Sequence, residues 1–109
     1  MNLIDYQEAP NVVSEEVCRK LVASGWQLQV ICVSSAEKKH ANYFGLWGIR
    51  VISPDGQFER TLVTARRDMQ MRTFKTLNGL VGFLHDLGFK VPRVPLEQGL
   101  QALQPNSTF

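Results

Sequence analysis

The sequence predicts an α+β fold in which two helices flank three strands, in the order α-β-β-β-α. Three observations support it: two segments with apolar residues at helical spacing, a central region of alternating residues, and a proline–glycine turn inside that region. Short connections favour a three-stranded antiparallel meander, and we expect both helices to pack on one face of it. Residues 14–96 are predicted to form this single domain, after an acidic leader over residues 1–13.

The first helix is predicted over residues 14–24. Ser14 is a favourable N-cap, and the two glutamates that follow it complement the positive end of the helix dipole. Apolar residues then recur at helical spacing, and Gly25 is a natural stop.

Two strands are predicted over residues 27–34 and 43–52, joined by a polar hairpin loop over residues 35–42. Two-residue alternation and β-branched side chains support both strands. Residues 53–56 read Ser-Pro-Asp-Gly, which favours a β-turn because proline presets its own φ and glycine accepts the closing conformation. This turn leads into a third predicted strand over residues 58–65.

The second helix is predicted to begin after Thr76, its candidate N-cap, and to end at Gly88. Apolar residues cover more than half of its circumference, so we expect the helix to lie on the sheet. We interpret the G-x-x-G sequence at residues 79–82 as small residues that allow the helix to approach the sheet closely. The tail, residues 97–109, is predicted to form a short helical turn and then to fray.

The composition is typical of a soluble globular protein, with 44% hydrophobic and 20% charged residues in a chain of 109. No apolar run reaches the ~18–20 residues of a membrane span, and no signal peptide is visible, so we expect a cytoplasmic protein. Cys18 and Cys32 are too few and too far apart for a disulfide framework or a zinc site. We interpret both as buried free thiols, and we expect no metal and no cofactor.

The net charge of +2 conceals a gradient along the chain. Residues 1–16 contain four acids and no Lys or Arg, whereas residues 60–75 contain five cations against one acid. A basic cluster of this kind can attract phosphate or an acidic protein surface, and a solvated loop that keeps the domain soluble explains it equally well.

No catalytic constellation is visible, so we expect a binding module rather than an enzyme. The sequence has no nucleophile elbow, no phosphate-binding loop and no paired metal ligands. His85 and Asp86 are neighbours on the predicted helix, so their side chains diverge and do not form a dyad.

Two functional hypotheses stay open. In the first, the chain binds nucleic acid through the basic loop 66–75 and the adjacent sheet. The residues assigned to this role are Arg66, Arg67, Arg72 and Lys75 for phosphate contacts, with Arg50 and Trp47 for charge and stacking. In the second, it is a regulatory adaptor that binds another protein or forms a homodimer, because the central hairpin has more apolar surface than helices on one face require. The residues assigned to that interface are Tyr43, Trp47 and Ile49.

The order of elements over residues 14–88 resembles the double-stranded-RNA-binding domain. His40, four residues before Phe44, is also similar to the pattern of that family before its second strand. The resemblance implies the same fold and a lysine-rich run that grips phosphates at the start of the second helix. Residues 72–77 supply only one arginine and one lysine there, so we do not assign the chain to that family.

Overall fold

The computed structural model describes residues 11–64 and 70–105. Over these residues the chain is a small α+β fold with one mixed sheet of six strands and two helices. The strands are β1 (Val12–Val13), β2 (Gln27–Lys39), β3 (Asn42–Ile52), β4 (Glu59–Leu62), β5 (Thr73–Thr76) and β6 (Gln101–Leu103). The helices are α1 (Glu15–Ala23) and α2 (Leu77–Asp86), and the predicted α+β class is confirmed.

The sheet is built around β3. β2 pairs with one side of β3, while β4 and β5 pair with successive parts of its other side, all antiparallel. β6 lies antiparallel on the outer edge of β2, and β1 lies parallel to β4. The predicted meander of three strands is therefore incomplete, because short strands before α1, before α2 and after α2 add to the sheet.

Both helices begin at the residues that the sequence indicates. The Ser14 side chain accepts a hydrogen bond from the backbone N–H of Val17 at 3.3 Å, and the Thr76 hydroxyl accepts one from Gly79 at 3.0 Å. Each bond satisfies an N–H that the first turn of a helix leaves without a partner. Local capping chemistry therefore sets the start of both helices.

The predicted turn at residues 53–56 is confirmed. The backbone N–H of Gly56 donates to the Ser53 carbonyl at 2.8 Å, and the N–H of Ser53 donates to the Phe58 carbonyl at 2.9 Å. Hydrogen bonds from the Ser53 hydroxyl and the Gln57 N–H hold the pKa of Asp55 below its ordinary value. The strand that follows, β4, is shorter than the predicted strand over 58–65.

One face of the sheet is buried under both helices. The register pairs residues of β2 with residues of β3 that share this face, and all of them are at most 1% exposed: Leu28 with Val51, Val30 with Ile49, and Cys32 with Trp47. They form one cluster with Cys18 of α1 and with Leu80 and Leu84 of α2. Gln29, Ile31 and Arg50 alternate with these residues and lie on the opposite face.

β2 and β3 are longer than predicted. Residues 35–42 are not a loop, because both strands continue to a two-residue turn at His40 and Ala41. Two register shifts in the β2–β3 pairing, between Cys32 and Ser34 and between Ser34 and Glu37, accompany the extension. A polar segment can remain in a strand when its side chains face solvent and its backbone is paired, which is why composition alone was misleading here.

The predicted helical turn in the tail is wrong, because residues 101–103 form β6. The backbone N–H of Cys32 donates to the Leu100 carbonyl at 3.0 Å, and that of Gln104 donates to the Leu28 carbonyl at 2.9 Å. These bonds satisfy backbone groups on the outer edge of β2 that would otherwise lack partners in the sheet. With β1 at the other end, the sheet extends past both predicted limits of the domain.

Candidate functional site

The end of the β2–β3 hairpin is exposed at every residue from Glu37 to Phe44, and we call this segment the hairpin end. His40 and Ala41 form its turn with φ angles of 53° and 72°. Two consecutive residues at positive φ are typical of the type I′ turn, whose twist matches that of the strands it joins. The turn therefore keeps the two strands paired as far as Lys39 and Asn42.

A groove of about 310 Å³ lies between the hairpin end and the N-terminus of α2. Residues 41–44 line one side, and Thr76, Leu77 and Asn78 line the other. The two sides are held together because Phe44 of β3 pairs with Thr76 of β5. The groove is thus formed by two elements that the sheet fixes relative to each other.

Two aromatic side chains at the hairpin end are partly in solvent. Tyr43 and Phe44 are each 39% exposed, and both line the groove. Aromatic rings gain free energy when a flat or apolar group covers them, and they lose little conformational entropy in doing so. They give the groove a surface on which a planar ligand can stack.

Two lysines, Lys38 and Lys39, stand beside these rings at the hairpin end against a single acid, and a third, Lys75, lies on β5. Lys38 pairs in register with Tyr43, and Lys75 precedes Thr76 in β5. Neither lysine forms an ion pair with any described residue. Lys39 approaches Glu37 at 3.9 Å, but both side chains are more than half exposed, so this pair contributes little. The hairpin end with Lys75 is therefore a basic surface.

Arg72, predicted to contact phosphate, is held by the protein itself. Its guanidinium forms an ion pair with Glu15 and lies over the rings of Phe74 and Phe83, at 4.9 and 5.3 Å from their centroids. Hydrogen bonds from Arg19 and then from Arg72 hold the pKa of Glu15 below its ordinary value. This cluster joins α1, β5 and α2, so the position of Arg72 is structural.

Arg50 lies on the sheet face opposite the helices. Its guanidinium donates to the Gln29 side chain at 3.3 Å and approaches the Glu59 carboxylate at 3.5 Å. Its charge is thus balanced by a neighbour on β4. Arg50 is also near the end of β3 that leads into the 53–56 turn, so the structure does not bring it to the hairpin end.

The expectation that Trp47 and Ile49 lie on an exposed face is wrong, because both are fully buried. The register places them on the helix-covered face, where the indole N–H of Trp47 donates to the Pro95 carbonyl at 2.7 Å. A buried ring cannot stack on a base or contact a second chain while the fold is intact. Of the three residues assigned to a protein interface, only Tyr43 is accessible.

The remaining members of the predicted basic loop fall into two groups. Arg66 and Arg67 lie outside the described residues. Residues 73–76 are not a loop but form β5, which pairs with β3 and presents Lys75 as an exposed side chain. Lys75 lines a second cleft with Arg72 and Thr73, one residue away from Thr76 of the groove. Of the two predicted phosphate contacts that the structure describes, Arg72 and Lys75, only Lys75 is exposed.

Both cysteines are buried free thiols, as interpreted from the sequence. Burial raises the pKa of Cys18 to about 11 and also raises that of Cys32, so both remain protonated and unreactive at neutral pH. Within residues 11–64 and 70–105, no three His, Cys, Asp or Glu side chains converge in the manner of a metal site. Over the same ranges, neither helix has the length and hydropathy needed to cross a membrane.

Sequence reasoning missed most of the hairpin end. Residues 37–44 read Glu-Lys-Lys-His-Ala-Asn-Tyr-Phe, in which basic residues stand on one side of a turn and aromatic residues on the other. That juxtaposition is the signal, but it has meaning only once the segment is known to be a hairpin. Asn78 carries no comparable signal, because the sheet alone brings it to the groove.

A comparison with protein-family models, curated proteins and solved structures found no match to this chain.

Proposed function

We propose that the chain is a non-enzymatic nucleic-acid-binding module and that it contacts its ligand through the hairpin end and Lys75. One observation carries this proposal: two partly exposed aromatic rings, Tyr43 and Phe44, lie among exposed lysines at one end of the sheet. Lysines attract phosphates and release their counterions, while aromatic rings stack on bases. The surface combines both contributions within a few residues.

The charges at this surface make the proposal specific. Lys38, Lys39 and Lys75 can each meet one phosphate, and Glu37 is the one acid of the hairpin end. Each phosphate contact contributes about −0.7 to −0.9 to the slope of log K against log salt concentration. Three contacts predict a slope of roughly −2 to −3.

The test is fluorescence anisotropy with a labelled oligonucleotide, titrated at several salt concentrations. The double variant Lys38→Gln/Lys75→Gln should weaken binding and flatten the salt dependence by about 1.4 to 1.8 in slope. Lys90→Gln is the matched control, because Lys90 is exposed but follows the opposite end of α2. Absence of binding at low salt, or an equal loss in the control, would contradict the proposal.

Self-association through the face opposite the helices is the second candidate. Four aliphatic side chains lie on this face and are partly or largely exposed: Ile31, Ile52, Met71 and Leu103. Exposed apolar surface of this kind is buried in many dimers. Sedimentation velocity should then show a dimer that Ile31→Glu dissociates and Tyr43→Ala leaves intact. A monomer at high protein concentration would exclude this candidate.

A further inference from the structure

The groove has a feature that phosphate attraction does not use: it offers polar groups beside its aromatic side. Asn42 lies on the hairpin wall with Tyr43 and Phe44, and Asn78 lies on the opposite wall in the first turn of α2. An amide side chain both donates and accepts hydrogen bonds, which suits the edge of a nucleobase. The groove therefore combines stacking surface with hydrogen-bonding groups on both walls.

We infer that the groove receives one unstacked base, so the ligand is single-stranded nucleic acid; this inference rests on the proposed function. A base inside a duplex has neighbours on both faces and its pairing edge occupied, so it can neither stack on Tyr43 nor present its pairing edge to an amide. The volume of about 310 Å³ is at the small end of ligand pockets, which run from about 300 to 1,000 Å³. This volume suits a single base rather than a double helix.

Lys38 is placed to meet the backbone of a strand whose base enters the groove. It is the register partner of Tyr43 on the hairpin wall. Lys75 lies one residue before Thr76, but it lines the neighbouring cleft with Arg72 and Thr73 rather than the groove itself. A strand whose base enters the groove has a phosphate on each side of that nucleotide. Lys38 can thus meet one of these two phosphates, and Lys75 can meet a phosphate further along the strand.

The shape of the hairpin disfavours the main alternative, insertion of a two-stranded ribbon into a duplex. The major groove is about 12 Å wide and admits a ribbon of two strands. Here β5 pairs with β3 as far as Phe44, so a third strand, at the usual spacing of about 4.8 Å, widens the hairpin near its end. The start of α2 adjoins it across the groove and adds further width.

The experiment compares one labelled oligonucleotide as a single strand and as a duplex, using the full chain at low salt. We expect the single strand to bind at least tenfold more tightly than the duplex. Tyr43→Leu and Phe44→Leu should each weaken single-strand binding about tenfold without altering the salt slope, because no charge is removed. Phe58→Leu is the matched control, since Phe58 is 57% exposed and follows the turn beyond the opposite end of β3.

The outcomes separate this inference from the proposed function. Equal or tighter binding of the duplex overturns the inference, as does single-strand binding that both leucine variants leave unchanged. The proposed function survives either result if the lysine variants still weaken binding. Failure of both ligands to bind overturns both proposals. Thermal unfolding of each leucine variant confirms that a loss of affinity does not come from a loss of fold.

Discussion

The indole N–H of Trp47 donates to the carbonyl oxygen of Pro95 at 2.7 Å, and this bond ties the centre of the sheet to the segment that follows α2. Trp47 is the largest of the fully buried side chains, and Pro95 is buried beside it. The bond accounts for the one polar atom of an otherwise apolar ring. Trp47, which the sequence hypothesis assigned to an exposed face of the hairpin, is therefore part of the core.

Trp47→Phe should lower the free energy of unfolding by about 2–3 kcal/mol, because it leaves the Pro95 carbonyl unsatisfied and leaves unfilled volume. Urea denaturation followed by circular dichroism measures this change. Trp26→Phe is the control, since Trp26 is only partly buried and should lose less. Equal losses in the two variants would contradict the special position of Trp47.

Arg72→Gln and Lys75→Gln should separate stability from binding. Arg72→Gln breaks the ion pair with Glu15 and removes a cation from two phenyl rings, so unfolding should become easier by about 1 kcal/mol. Its affinity for an oligonucleotide should stay the same. Lys75→Gln should instead weaken oligonucleotide binding and leave the free energy of unfolding unchanged. Thermal unfolding and anisotropy on the same two samples make the comparison, and a large affinity loss for Arg72→Gln would refute the structural role.

Glu15 should make stability depend on pH. Its pKa is lower in the folded protein, so its contribution is present above its ordinary value of 4.5 and is lost as the pH falls through the folded value. Glu15→Gln should therefore cost about 0.5–1 kcal/mol at pH 7, and the gap to the unmodified chain should narrow as the pH falls below 4.5. Glu16→Gln, which removes a more exposed carboxylate, serves as the control. Unfolding by urea at several pH values tests this, and a constant gap would argue against it.

Ala41→Gly should stabilise the protein. Ala41 has a φ of 72°, a conformation that costs an L-residue about 1–2 kcal/mol and glycine almost nothing. The greater freedom of glycine in the unfolded chain offsets part of this, so we expect a gain of about 0.5 kcal/mol. Ala36→Gly, at a partly buried strand position, should instead destabilise. Differential scanning calorimetry distinguishes the two, and a lower melting temperature for Ala41→Gly would count against the turn geometry.

Gly82→Ala should also stabilise, because the interpretation of the G-x-x-G sequence as a close-packing device is wrong. A Cβ at Gly82 would meet nothing within 4 Å, and this glycine is exposed inside α2. Alanine is favoured over glycine there by about 0.5–1 kcal/mol. Gly45→Ala is the contrasting variant, since its Cβ would lie 3.0 Å from Trp47 and 3.2 Å from the Ser34 carbonyl, and it should destabilise. Chemical denaturation of both variants measures these opposite changes in the free energy of unfolding.

Sequence reasoning succeeded where neighbours along the chain decide the structure. Ser14 and Thr76 start their helices because each side chain bonds an N–H three residues later, and the turn at 53–56 closes through its own backbone. The three short strands were missed because none contains enough alternation to predict a strand. They form because a neighbouring strand offers unpaired backbone groups, which is information from distant residues.

The candidate site could be predicted only in part for the same reason. Trp47 and Phe44 both lie in an apolar stretch of β3, and alternation does not show which residues face the helices. The basic character of residues 66–75 was visible, but the ion pair between Arg72 and Glu15 joins residues far apart in the chain. Tyr43 is the one residue of the sequence hypotheses that lines the observed groove, whereas Lys75 is exposed one residue away from it.

The position of β6 has a consequence for protein synthesis. β6 is the last of the described strands to leave the ribosome, yet it covers the outer edge of β2, which emerges much earlier. Until residues 101–103 have been made, that edge can pair with a strand of another nascent chain. Between the emergence of β2 and that of β6, this edge of the nascent chain is therefore open to misassembly, and it closes when residues 101–103 pair with residues 29–31.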